Sequence, residues 1–187
     1  GIIILKEYLT TTVRGRQDLK NITLPFLGEV PNCFPKRTGF ARFKKKTEPE
    51  DKKIVVKAGS RNVINEAFRS LRTNLDFMIK DNNTNSIALT SYNPGSGKSF
   101  ISINLAIALA IQNKKVLVID ADLRHASTSQ YVGAPKLGIS DFLAGRISNV
   151  NDVVVQDKAY NSLHILPVGT IPPNPSELLS QDSFKTM

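Results

Sequence analysis

The stretch Ser91–Phe100, SYNPGSGKSF, gathers two glycines, a lysine and three serines just before an apolar run at helical spacing. Those residue types can hold an anion. Gly95 and Gly97 let the backbone curl so that its N–H groups point inward and phosphate oxygens come close. A helix beginning near Lys98 adds the positive end of its dipole. The Lys98 ammonium would reach the β- and γ-phosphates, and the Ser99 hydroxyl would ligate magnesium. The pattern G-x-x-x-x-G-K-[ST] needs glycine at Tyr92, so the match is incomplete. The plain alternative is a glycine-rich turn. The coincidence of strand, turn, Lys-Ser and helix favours a phosphate loop, with Asn93, Pro94, Gly95, Ser96, Gly97, Lys98, Ser99 and Phe100 around the nucleotide.

A second set follows. VLVIDADLR, Val116–Arg124, sends a buried strand into Asp120 and Asp122. Ligands of open parallel sheets bind at the carboxyl ends of strands. Strand alternation places both carboxylates on one side. Two such charges repel unless a cation or hydrogen-bond donors compensate, and nucleotide-bound magnesium would do so. A turn or cap role is the alternative, more plausible for one aspartate than for both.

The elements that would position these groups are legible around them. NVINEAFRSLRTNLDFMI puts Ile64, Ala67, Phe68, Leu71, Leu75 and Met78 on one helical face. An asparagine-rich turn at Asp81–Asn85 leads to SIALTS, Ser86–Ser91, read as a buried strand. A helix over about Lys98–Gln112 breaks at Asn113–Lys115, and VLVIDAD follows. Strand, helix, strand predicts a β-α-β unit and a parallel sheet. LGISDFLAG reads as a short helix ending before Gly145, and LHILPVG as a further strand at Leu163–Leu166. Glu66, Arg69 and Arg72 recur every three residues beside the apolar face; on spacing alone they suit an ordinary surface ion pair.

The chain has 187 residues, a net charge of +9 and 41% hydrophobic content, enough for an ordinary core. Cys33 is the single cysteine, so no disulfide forms within the chain. The start at Gly1 and the helix-like end suggest a piece of a longer protein. GIIILKEYL is too short to span a bilayer, which takes about 20 apolar residues. It fits either the exit of a transmembrane helix, with Lys6, Arg14 and Arg16 on the cytoplasmic side, or a buried strand or ragged end. LPFLGEVP, Leu24–Pro31, is framed as an extended piece by its prolines. Residues 35–57 read as a linker; its cluster Lys36, Arg37, Arg42, Lys44, Lys45 and Lys46 would suit anionic lipid, nucleic acid or simply solvent. No element for reading nucleic acid accompanies the charge, so no nucleic-acid partner is expected.

Four stretches together resemble the cytoplasmic portion of bacterial tyrosine kinases of capsule and exopolysaccharide synthesis. SYNPGSGKS resembles their Walker A motif, in which the leading glycine is commonly missing, and VLVIDADLR their Walker A′ motif. NEAFRSLRTNL resembles their E-x-x-R-x-x-R helix, and VGTIPPNPSELL their G-x-x-P-P-N-P-x-E-L-L loop. ILKEYL with LPFLGEVP is similar to the exit from the second transmembrane helix. The resemblance implies an α/β P-loop fold with a parallel sheet flanked by helices, and a kinase that uses ATP and Mg2+. Lys98, Asp120 and Asp122 would be catalytic, with Ser99, Asp120 and Asp122 at the metal. One aspartate would help hold magnesium, and either could orient or deprotonate the acceptor hydroxyl. Glu66, Arg69 and Arg72 would join subunits into a ring at the inner membrane's cytoplasmic face. Partners would be the polysaccharide polymerisation and export machinery, a phosphotyrosine phosphatase and the membrane itself.

On this reading residues 1–13 are a membrane exit and juxtamembrane segment, 14–60 a basic linker, and 61–187 a kinase domain cut before Walker B. The Walker B strand and the tyrosine-rich tail are absent, so weak or no activity is expected of the piece alone. Two rivals stand beside it. A partition or cell-division ATPase would carry a signature lysine where this chain has Asn93. A polysaccharide co-polymerase scaffold would use nucleotide only as an assembly switch.

Overall fold

The computed structural model describes residues 23–32, 54–82, 86–180 and 184, with the backbone alone at 81 and 82. The apolar opening run, most of the basic linker and its lysine-arginine cluster lie outside the described residues. No described helix is long and apolar enough to cross a membrane.

Helix α1 spans Val63–Asn82. Asn62 starts it: its side-chain oxygen accepts the Asn65 N–H at 2.8 Å, satisfying one of the free donors of the first turn. The expected apolar face is the buried one, with Phe68 and Leu75 at its centre. Helix α2 spans Lys98–Ala110, and its residues from Ile103 to Ala110 are all buried. A run so apolar must sit between layers. It packs against α1 on one side, where Phe68 and Phe100 meet edge to face with centroids 5.9 Å apart.

On its other side lies a three-stranded sheet in the order β1-β3-β2. β1 (Val116–Ile119) pairs in parallel with β3 (Leu163–Leu166). The two-residue β2 (Val155–Gln156) pairs antiparallel with β3. The sheet is thus mixed rather than purely parallel. Short helices α3 (Ile139–Leu143) and α4 (Pro175–Leu179) cover a second apolar cluster that includes Leu123, Leu166, Val168 and Leu178. The predicted helix end falls in place, with Asn113 in the left-handed region at φ 59° and Gly145 at φ 71° beyond α3.

One expected element is missing. Ser86–Ser91 forms no strand, and its Ile87 and Leu89 are 45% and 39% exposed. An apolar run becomes a strand only by pairing. β1 pairs through one edge with β3, and among the described residues nothing pairs with its other edge. Leu117 and Ile119 on β1 are likewise open to solvent. The parallel pair is therefore β1 with β3, joined through residues 120–162, and not the run before the loop with β1.

Candidate functional site

The polarity of the layers sets the site. Ser162 Oγ donates to Ala110 O at 3.1 Å, and Val116 N donates to Ser162 O at 2.9 Å. The last turn of α2 thus lies at the start of β1 and β3. Its first turn, which carries Lys98 and Ser99, faces the carboxyl ends of both strands. Asp120 and Asp122 follow directly on β1, so loop and acids share one end of the sheet. That is the end at which open α/β sheets bind ligands.

The loop is built as its glycines demand. Gly95 and Gly97 take φ of 73° and 91°, a region that side chains strain to enter. Gly97 is the N-cap of α2 and no side chain caps it, so the free N–H groups of the first turn face outward for an anion. Serines on either side hold the curl. Ser91 Oγ and Ser96 Oγ both donate to Asn93 O, at 2.9 and 2.7 Å. The Lys98 ammonium donates to Ser91 Oγ at 3.0 Å. Phe100 turns inward to α1 and supports the loop from behind. An adjacent brace is Asn104, fully buried, whose side-chain oxygen accepts the N–H groups of Val55 and Val56 at 2.8 and 3.1 Å. Its amide donates to Phe100 O. The segment before α1 is thereby tied to the helix that carries the lysine.

The two aspartates differ from expectation. β1 ends at Ile119, so they do not alternate along a strand. Asp120 N donates to Leu166 O in the last step of the ladder. Asp120 is 3% exposed, and its Oδ2 accepts both the N–H and the hydroxyl of Ser129 at 2.7 Å. The same Ser129 hydroxyl accepts the Val168 N–H at 2.8 Å. Asp122 sits in a turn. Its Oδ1 accepts the N–H groups of Arg124 and His125 and lies 3.2 Å from His125 Nδ1. Its N–H in turn meets Asp120 Oδ1 at 3.3 Å. Partial burial would raise the Asp122 pKa, but the bonds and charge of His125 and the Arg124 N–H outweigh it and hold the carboxyl below its usual value. The repulsion between the acids is thus relieved by hydrogen-bond donors, while Asp122 Oδ2 keeps its lone pairs.

Oxygen donors of this kind suit a hard cation. Among the described residues no three His, Cys, Asp or Glu side chains cluster as a metal cage. A cation shared with nucleotide phosphates needs fewer protein ligands, and Ser99 and Asp122 Oδ2 are the oxygens that would supply them. Asp120, half engaged by Ser129, would act from one side.

The E-x-x-R-x-x-R residues separate. Glu66 and Arg69 form an exposed i,i+3 pair at 3.3 Å. Arg72 instead reaches across to α2 and donates to Ala108 O at 3.0 Å. Sequence reasoning missed Ser129, Asn104 and a second buried acid, Asp141. Asp141 Oδ2 accepts the N–H groups of Gly138 and Thr170 at 3.0 and 3.1 Å, and Oδ1 lies 2.9 Å from the Arg146 guanidinium. Burial pushes its pKa up, yet the bonds from Thr170 and Gly138 and the Arg146 charge bring it below the usual carboxylate value. It fastens the TIPPNP loop after β3 to the start of α3.

The class of domain follows from this geometry and from comparison with known proteins. Residues 87–173 match the family described as CobQ/CobB/MinD/ParA nucleotide binding domain. The mixed sheet, flanking helices and phosphate loop are those of a P-loop α/β domain, and the proteins it resembles include bacterial tyrosine kinases. Tyrosine-protein kinase wzc of Salmonella typhimurium is 38% identical over 120 residues, covering 64% of this chain and 16% of the relative. Tyrosine-protein kinase ptk of Acinetobacter johnsonii is 31% identical over 188 residues, covering 100% of this chain and 25% of the relative. Among solved structures, the kinase domain of Escherichia coli tyrosine kinase ETK superposes with a TM-score of 0.62 at 36% identity. That match covers 67% of this chain and 49% of the solved one. The chain is thus similar to the nucleotide-binding domains of bacterial tyrosine kinases, and it spans a quarter or less of the length of these two curated relatives.

Proposed function

We propose that the protein of which this chain is part is an ATP-dependent protein-tyrosine kinase that regulates capsular or exopolysaccharide polymerisation and export. The observation that carries the reading is the pairing, at one end of the sheet, of the uncapped start of α2 bearing Lys98 with the two aspartates that follow β1. Phosphoryl transfer needs chiefly positioning and charge neutralisation. The N–H groups from Asn93 to Phe100 would cradle the phosphates, with Lys98 on the terminal ones. Mg2+ would sit between Ser99, the phosphates and the acids. Asp122, with its open oxygen, suits the metal or the acceptor hydroxyl; Asp120, bonded to Ser129, suits electrostatic support.

The kinase domain would span 61–187, behind a linker over 14–60 and a membrane exit over 1–13. Glu66 and Arg69, both exposed, are the members of their motif available to a neighbouring subunit in a ring. Arg72 would act by holding α1 against α2. The kinship with tyrosine kinases supports placement at the cytoplasmic face of the inner membrane, with a cognate phosphatase and the polysaccharide machinery as partners.

The test is phosphotyrosine in the full-length protein given Mg-ATP. It should form, and Lys98→Met should abolish it. A second reading draws on the match to the MinD/ParA-type family: a partition-type ATPase, which would release phosphate without making phosphotyrosine. Asn93, in place of that group's lysine, speaks against it.

A further inference from the structure

Tyr92 stands where the standard phosphate loop has glycine, and it is 99% exposed. Of the described tyrosines it alone is fully in solvent. Tyr131 and Tyr160 are half-buried against the core, and burial pushes the Tyr131 hydroxyl up to about 12. Its backbone is held on both sides: Ser91 Oγ donates to Asn93 O, and the Lys98 ammonium rests on Ser91. The ring is therefore presented outward from a fixed point, next to Ser91, on which the Lys98 ammonium rests.

We propose that Tyr92 is a phosphorylation site, filled in trans from ATP held by a second copy of this chain, and that the phosphotyrosine weakens nucleotide binding at its own loop. This rests on the tyrosine-kinase reading above. The direction is in trans because Tyr92 belongs to the loop that would wrap its own nucleotide, and its fully exposed ring is open to a second copy. In the step, Tyr92 Oη forms a bond to the γ-phosphorus of the donor copy's ATP. The bond from that phosphorus to the bridging oxygen breaks, its electron pair leaves with ADP, and the phenolic proton passes to a donor-copy carboxylate or to water.

The product carries nearly two negative charges and three acceptor oxygens. Beside Ser91 it competes for the Lys98 ammonium and repels an incoming triphosphate. A dianion within one Debye length of the site predicts roughly tenfold weaker ATP binding. The device would let a population of copies silence one another as phosphorylation proceeds.

Two measurements test it. The full-length protein is isolated from cells that make it, together with a co-expressed Lys98→Met copy, and the Tyr92 peptides of both are mapped by mass spectrometry. Phosphate on Tyr92 in both copies is expected. Phosphotyrosine elsewhere with Tyr92 unmodified overturns the site and leaves the kinase reading standing. No phosphotyrosine anywhere overturns both. Modification confined to the copy with intact Lys98 overturns transfer in trans. Separately, a fluorescent ATP analogue with Mg2+ is titrated into the protein carrying phosphotyrosine at position 92 from synthesis, and into the unmodified form. About tenfold weaker binding is expected; equal affinity overturns the silencing.

Discussion

The Lys98 ammonium rests on the Ser91 hydroxyl at 3.0 Å, so the two ends of the phosphate loop are joined by the group that would meet the phosphates. Ser91 parks the cation without burying it. Ser91→Ala should therefore alter Mg-nucleotide affinity by no more than about threefold, the worth of one partly exposed hydrogen bond. Isothermal titration of the variant checks this. A loss of a hundredfold would mean that Ser91 itself grips the ligand.

Ser129 should matter for folding through Asp120. Its hydroxyl donates to the buried carboxylate and accepts the Val168 N–H, linking the end of β1 to the loop after β3. Ser129→Ala leaves a buried N–H and a buried carboxylate oxygen each short of a partner, a cost of about 2 kcal/mol. Urea unfolding should register that loss, and it should shrink when Asp120→Asn is present as well, because the two share one network.

Asn104 is the brace most exposed to a single change. Truncation to alanine strands the Val55 and Val56 N–H groups inside the core. The expected destabilisation is about 3 kcal/mol. Hydrogen exchange at those two amides should rise with it, whereas protection at β3 should fall only by the global amount.

Asp141 makes an acid-sensitive latch. Its folded pKa is lowered below 3.8, so its stabilisation is complete above that value and fades as pH falls through the folded one. The urea midpoint of the wild type should drop below pH 4 more steeply than that of Asp141→Asn, which starts lower at neutral pH. Gly169→Ala tests the same contact sterically. A Cβ there would lie 2.2 Å from Asp141 Oδ2 and 2.2 Å from Gly138 N, at a φ of +78°. The expected cost is about 3 kcal/mol or more.

Much of this was legible in the sequence because it rests on local rules. The period of apolar residues in α1 and the Lys-Ser start of α2 are local, and so is the break at Asn113. What escaped is set by partners distant in the chain. Ser86–Ser91 has strand composition, yet composition cannot supply a neighbour to pair with. The alternation expected of Asp120 and Asp122 required β1 to continue, whereas the Val168 N–H that would extend its ladder goes to the Ser129 hydroxyl. Ser129 and Asp141 looked like ordinary loop residues until the fold brought Val168 and Thr170 to them across 39 and 29 positions. Arg72 shared a stripe with Glu66 and Arg69, but α2 passes beneath it alone.

The account turns on a phosphate loop whose lysine engages the nucleotide. Titration of the protein with a fluorescent ATP analogue and Mg2+, before and after Lys98→Ala, tests that most directly. Saturable binding that weakens at least tenfold in the variant is the predicted result, since a charge-assisted bond to phosphate contributes about 1.5 kcal/mol or more. Equal binding by both proteins, or none by the wild type, would contradict it.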